Sequence, residues 1–319
     1  MKDIIAPVSK EKLLAELTAD KLMRKTNKGD NEIYIITHQD SPNVMLEIGR
    51  VREITFRNAG GGIGEEVDID EYDICNDPYK QLIVWDPQAL EIIGGYRYIL
   101  CNNLPIDENG LVHLATTQLF DFSERFIKEY LPYTLELGRS FVQPHYQSSK
   151  AGAKALFALD NLWDGLGALI VDHPEIKYFF GKVTMYTHFD TQARNLILYF
   201  FMKYFKDHEN LVTPFHPLDL KMNMAEMEEV FSGGSYKEDY KILSQKVREF
   251  GENIPPLINS YMNLSPSMKT FGTVINHHFG NVEETAIILT ISDIYEAKKD
   301  RHIETYIRNK DTTDWPLPE

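Results

Sequence analysis

The chain has 319 residues, 43% hydrophobic and 25% charged, which is the balance of an ordinary globular protein and excludes disorder and fibrous architecture. Lys and Arg number 33 against 48 Asp and Glu, and the resulting net charge of −15 makes nucleic acid an unsuitable partner. Cys75 and Cys101 form no CxxC pair and are too few for a disulfide scaffold, so a reducing compartment, the cytoplasm, is expected.

Leu13, Leu14, Leu17, Leu22 and Met23 recur at helical spacing and predict a helix over Ser9 to Lys28. Seven Lys and Arg against four Asp and Glu give the first 28 residues a charge of +3. Residues 1–30 therefore read as a basic amphipathic helix, its lysines either solvated or set against an anionic membrane surface or an acidic carrier protein. No apolar leader core occurs in Met1 to Lys12, and the most hydrophobic helical stretch, Leu196 to Met202, is about a third of a bilayer span. A strand is expected at Glu32 to Thr37 and a helix at Pro42 to Asn58. The glycine run from Asn58 to Gly64 follows a helix and lacks the Gly-Lys-Ser/Thr ending of a phosphate loop, so it reads as a mobile loop.

Lys80 to Asp86 and Glu91 to Cys101 predict a hairpin, and Thr134 to Gln143 a strand leading to a helix from Ser148 to Val171. Tyr178 to Met185 reads as a strand and Thr191 to Asp207 as a helix. A polar, Met-rich stretch from Pro214 to Gly234 lacks periodicity and suggests an insertion or lid around 209–254. Helices at Tyr236 to Phe250 and Pro255 to Met262 follow. Strands at Thr270 to His277 and Glu284 to Ile291 and a helix over Ser292 to Arg308 end the chain. Hairpin strands mixed with strand-helix-strand units predict an α/β fold with a mixed sheet, residues 31–319 forming one domain.

A metal centre is not expected, because HExxH and Cys/His spacings are missing. Gly-x-Ser-x-Gly and the dinucleotide fingerprint are missing too. What remains is charge where apolar strand residues belong. Glu136 and Arg139 lie inside an apolar run, and buried charge is costly unless paired or used. Alternation puts them on opposite faces, but a bulge at Gly138 brings both into one cleft. Three further sets are the acidic run Glu65 to Asp73, Arg97 within Gly94 to Tyr98, and Arg52 with Phe56 one helical turn on. The three arginines are either structural partners of these carboxylates or parts of a site.

Arg52-x3-Phe56, Asp70-x2-Asp73, Gly95-Tyr-Arg97 and Glu136-x2-Arg139 stand in the order found in bacterial acyl-homoserine-lactone synthases. The chain resembles still more closely the ornithine-lipid and N-acyl-glycine N-acyltransferases of the GNAT superfamily. Asp68 to Asp73, Ile93 to Arg97, Glu136 to Ser140, Pro144 to Tyr146, Leu162 to Gly165 and Pro255 to Tyr261 carry that resemblance, the last strings recurring in hemolysin-like proteins. The resemblance spans roughly residues 45 to 290 and implies a largely antiparallel GNAT-like sheet flanked by helices. It implies transfer of a long, possibly 3-hydroxylated, fatty acyl group to the α-amine of a small amino acid such as glycine or ornithine. The donor is acyl carrier protein or acyl-CoA, with no tightly bound cofactor, and peripheral membrane contact fits the product. Autoinducer synthases carry a tryptophan beyond the Phe56 position where this chain has glycines, which argues against lactone formation.

By the same resemblance Glu136, with Arg139 beside it, is the candidate base, and Asp70 and Asp73 are rivals. Arg52, Phe56 and Arg97 would bind the acceptor and its carboxylate, a guanidinium fork matching a carboxylate in two bonds. Backbone N–H groups of Phe141 and Val142 would meet the thioester oxyanion where two strands splay. Gln147, Lys150 and Gly152 would hold the pantetheine phosphate, with Arg125, Lys128, Lys150 and Lys154 as a carrier-docking patch. Tyr199 or Tyr204 would protonate the departing thiolate, and the aromatic run Tyr199 to Phe205 is either acyl channel or core. Two alternatives stay open, a short-acyl or acetyl transferase using CoA and a non-catalytic lipid-binding protein.

Overall fold

The computed structural model describes residues 1–105, 112–147 and 153–311. Helix α1 (Lys10–Glu16) is followed by a 3-10 turn, β1 (Leu22–Lys25), β2 (Glu32–Ile36), α2 (Pro42–Asn58), α3 (Glu71–Ile74), β3 (Lys80–Asp86) and β4 (Glu91–Leu100). Next come β5 (Phe120–Phe122), β6 (Thr134–Val142), α4 (Pro144–Gln147), α5 (Ala153–Asp172), β7 (Tyr178–Met185), α6 (Thr191–Tyr204) and β8 (Val212–Pro214). Helices α7 (Met224–Val230), α8 (Tyr236–Glu249) and α9 (Pro256–Met262), strands β9 (Lys269–Asn276) and β10 (Val282–Thr290), and helices α10 (Glu296–His302) and α11 (Glu304–Asp311) complete the order.

Eight strands form one sheet in the order β1-β2-β3-β4-β6-β7-β10-β9, antiparallel except for the parallel pair β6 and β7. Alternation along β3 sorts the core. Ile83 and Trp85 meet Val44, Met45 and Ile48 of α2, while Leu82 and Val84 meet Leu162, Leu166 and Leu169 of α5. A third cluster packs Phe120, Phe122 and Phe126 against Phe180 and Phe271 under the small β5/β8 ribbon. Among the described residues no helix is long and apolar enough to cross a membrane.

Three expectations are corrected. The helix over Ser9 to Lys28 stops at Glu16, because the chain is drawn into the sheet as β1, where Arg24 is fully buried and its Nη1 meets the Asp164 and His302 carbonyls at 3.4 Å. The glycine run is a fastened loop. Buried Glu53 accepts from the Gly64 N–H at 2.8 Å and the Ile63 N–H at 3.2 Å, and positive φ at Gly60, Gly62 and Gly64 lets the backbone curl around it. The C-terminal helix is broken into a 3-10 turn and two short helices, with buried His302 Nδ1 2.8 Å from Asp164 on α5. The Pro214 to Gly234 stretch first meets the outer strand β9, where the Leu218 N–H donates to the Thr273 carbonyl at 2.7 Å, and then packs Leu220, Met222, Met227 and Val230 against the main core.

Candidate functional site

Strands β6 and β7 pair only from Thr134 and Tyr178 to Leu137 and Gly181. At that last pair a Cβ on Gly181 would lie 2.4 Å from the Leu137 carbonyl oxygen, so the close approach requires glycine. Immediately beyond it, Arg139 and Ser140 of β6 face the single residue Tyr96 of β4. This is a bulge, and its strain falls on Arg139, at φ +47°, not on Gly138. The bulge swings β6 away from β7 and opens a cavity of about 480 Å³ lined by both Glu136 and Arg139.

The cavity is lined from both faces of the sheet, and its two sides differ. On the α2 side its wall holds the charged groups Arg97, Glu136, Lys182 and Glu284 with Tyr79 and Thr116, beside Phe56, Ala59 and Phe279. On the α5 side it is largely apolar, with Leu137, Ala158, Leu159, Leu257 and Ile258.

Buried Glu136 accepts from the Thr116 N–H at 3.1 Å, from Thr116 Oγ1 on the same oxygen, and from the Tyr79 hydroxyl on the other. Burial, reinforced by the charge of Glu136, pushes the Tyr79 phenol well above its ordinary value and keeps it a donor. Its oxygen in turn accepts from the Ala115 N–H at 3.0 Å. Opposite, Lys182 donates to the Ala115 carbonyl at 3.1 Å and lies 3.3 Å from Glu284. Neither Lys182 nor the 115–116 brace was singled out in the sequence, because one lysine in a strand reads as solvent-facing.

The acidic run is largely a scaffold. Asp70 and Asp73 form a capping box on α3, each carboxylate accepting a backbone N–H of the first turn. Arg52, expected at the acceptor, lies outside the cavity lining, fully buried, its Nη1 3.1 Å from Asp73 Oδ2. Asp73 is likewise outside it, and also accepts from Gln81 at 2.9 Å and Arg97 at 3.3 Å. Burial raises the Asp73 carboxyl, but Arg52 and then Arg97 outweigh it and hold the group well below the ordinary carboxylate range. Arg97 reaches Asp70 at 2.6 Å, and Arg139 holds Asp68 at 2.9 Å and Asp70 at 3.3 Å. Three arginines thus balance three aspartates. Arg97 and Arg139 still line the cavity, and Arg139 lies 4.3 Å over the Phe279 ring, which meets Phe56 edge-on at 5.0 Å.

At the splay the two candidate N–H donors part company. The Gln143 N–H donates to Ile93 of β4 at 2.9 Å, so alternation turns the Phe141 N–H into the same ladder and the Val142 N–H toward the opening. The Val142 carbonyl faces that way as well, accepting from the Gln147 side chain. Phe141 is therefore corrected to a packing residue, with its ring in the α2 core. Lys150 and Gly152 lie outside the described residues. Tyr204 donates to Asp239 at 2.5 Å, and Tyr199 lines a separate cavity of about 440 Å³ beside β9, so neither faces this site. Arg125 pairs with Glu129 and Glu209, and Lys128 with Glu124, which removes both from a free basic patch. The acidic trio Glu296, Asp300 and Glu304, close enough to share a cation, is exposed and lines no part of the cavity.

The acetyltransferase (GNAT) domain family matches residues 51–156. The glycine N(alpha)-acyltransferase of Phocaeicola vulgatus is 59% identical over 97% of this chain and 94% of its own. The protein of the same name from Bacteroides thetaiotaomicron is 59% identical over 97% and 92%. A solved CoA-dependent acyl-homoserine lactone synthase with SAM and isopentyl-CoA aligns at 10% identity over 89% of this chain and 91% of its own, with a TM-score of 0.38. The chain belongs to the GNAT-type N-acyltransferase family of the two 59% identical relatives and is an acyltransferase.

Proposed function

We propose that the protein moves a long fatty acyl group from a thioester, on CoA or on acyl carrier protein, to the α-amine of a small amino acid, glycine first among them. The observation that carries this reading is the opening between β6 and β7, with the charged groups on one side of the sheet and a largely apolar wall on the other. Pantetheine lies in the opening, the acyl chain runs along Ala158, Leu159, Leu257 and Ile258, and the amino acid enters from the side of Glu136.

An α-ammonium group cannot attack until it loses a proton, and Glu136, directly or through one water, takes it. The nitrogen lone pair then adds to the thioester carbon, and the Val142 N–H meets the negative charge that develops on oxygen. Collapse breaks the C–S bond, and the thiolate leaves with a proton from the new amide nitrogen. Tyr79 and Thr116 hold the carboxylate of Glu136 in place, and the Asp68, Asp70 and Asp73 cluster fixes Arg97 and Arg139 around it.

The test is thiol release from 3-hydroxypalmitoyl carrier protein, palmitoyl-CoA and acetyl-CoA, each offered with a panel of amino acids. Release that requires a long acyl donor together with glycine is expected. Release with acetyl-CoA alone, or none with any pair, overturns the reading.

A further inference from the structure

Lys182 stands one residue past the last parallel pair, Leu137 with Gly181, and so at the edge of the opening. Counting along β7 from Phe180, which faces Glu136 in register, it shares the face of the sheet on which Glu136 sits. Both side chains line the cavity, and a single short segment spaces them. The Thr116 N–H and hydroxyl hold Glu136, while the Ala115 carbonyl holds Lys182 at 3.1 Å. The cavity therefore presents a carboxylate and an ammonium at a separation fixed by two consecutive residues.

The charges around the pair differ from those around the arginines. Arg52, Arg97 and Arg139 are balanced by Asp68, Asp70 and Asp73. Lys182, the one lysine lining this cavity among the described residues, pairs with Glu284, which also accepts from Asn276 at 3.2 Å, and shares the cavity wall with a second carboxylate, Glu136. An ammonium has three N–H donors; the Ala115 carbonyl takes one, and Glu284 is an ion partner 3.3 Å away, which leaves donor capacity for the cavity. A zwitterion fits this arrangement, its ammonium drawn to the carboxylate excess and its carboxylate taking the remaining Lys182 proton.

We propose that Lys182 Nζ is the acceptor-carboxylate site, which makes the acceptor class α-amino acids with a free carboxylate in preference to simple amines or amino-acid amides. This rests on the acyl-transfer reading, and binding of the product separates the two. Calorimetric titration of N-decanoylglycine and N-decanoylglycinamide into wild type, Lys182→Met and Lys182→Arg reads the site without turnover. Wild type is expected to favour the carboxylate by roughly tenfold or more, the strength of one hydrogen bond between charged groups. The preference should vanish in Lys182→Met and survive in Lys182→Arg, and retained amide binding in Lys182→Met shows that the fold is intact.

A carboxylate preference that persists in Lys182→Met, or loss of both ligands in that variant while Lys182→Arg keeps both without preference, overturns the proposal. Failure of wild type to favour the carboxylate overturns it too. Absent turnover with a Lys182-dependent preference would sink the acyl-transfer reading and the acceptor role with it, leaving Lys182 a carboxylate-binding residue only.

Discussion

Arg52 Nη1 lies 3.1 Å from Asp73 Oδ2 with both side chains fully buried and neither lining the cavity. Removing one partner strands the other charge, so Asp73→Asn should lower stability by about 3–5 kcal/mol in urea unfolding. The pH dependence has a definite sign. A carboxyl depressed in the folded state contributes stability that is present above its unfolded value, about 3.9, and is lost as pH falls toward the folded one. Wild type should therefore lose stability below about pH 4, with that component missing from Asp73→Asn. Equal acid sensitivity of the two proteins would contradict the pairing.

Glu136→Gln keeps the shape of the side chain and removes the charge. Loss of a positioned base costs roughly 10²–10⁴-fold, and the loss should appear in kcat of the thiol-release assay. A change of less than about threefold would assign Glu136 to structure alone.

The two neighbouring N–H groups at the splay can be told apart by proline. Val142→Pro deletes the donor that faces the opening and should lower kcat by roughly 10²–10³ while the protein stays folded. Phe141→Pro deletes a rung of the ladder to β4 and should unfold it, as circular dichroism would show. Full activity in Val142→Pro would remove that N–H from the mechanism.

Ala158 is a small residue on the apolar wall of the cavity. Ala158→Phe should shift the preferred donor toward shorter chains, read as the ratio of kcat/KM for octanoyl-CoA and palmitoyl-CoA. An unchanged ratio would place the acyl chain elsewhere.

Much of the scaffold was legible because its signals are local. Proline at the first turn and apolar residues at helical spacing fix α2 over Pro42–Asn58, and the apolar run Tyr178–Met185 coincides with β7. β1 was hidden because four residues, LMRK, satisfy a helical pattern as well as a strand, and only pairing with β2 decides between them. The anomaly of Glu136 and Arg139 in one strand pointed correctly to a bulge and a shared cavity. Asp70 and Asp73 were harder, since two carboxylates three apart look the same in sequence whether they meet a substrate or cap a helix. Which of Phe141 and Val142 offers its N–H depends on ladder phase, a property of the paired strands and not of either residue.

A cavity lined from both faces of the sheet also bears on traffic. In the proposed reaction thioester and amino acid come to the reacting carbon from opposite sides of the sheet, so the arrival of one leaves the route of the other clear. Either can load first, both must be aboard before the bond is made, and initial-rate lines for the two substrates should intersect rather than run parallel.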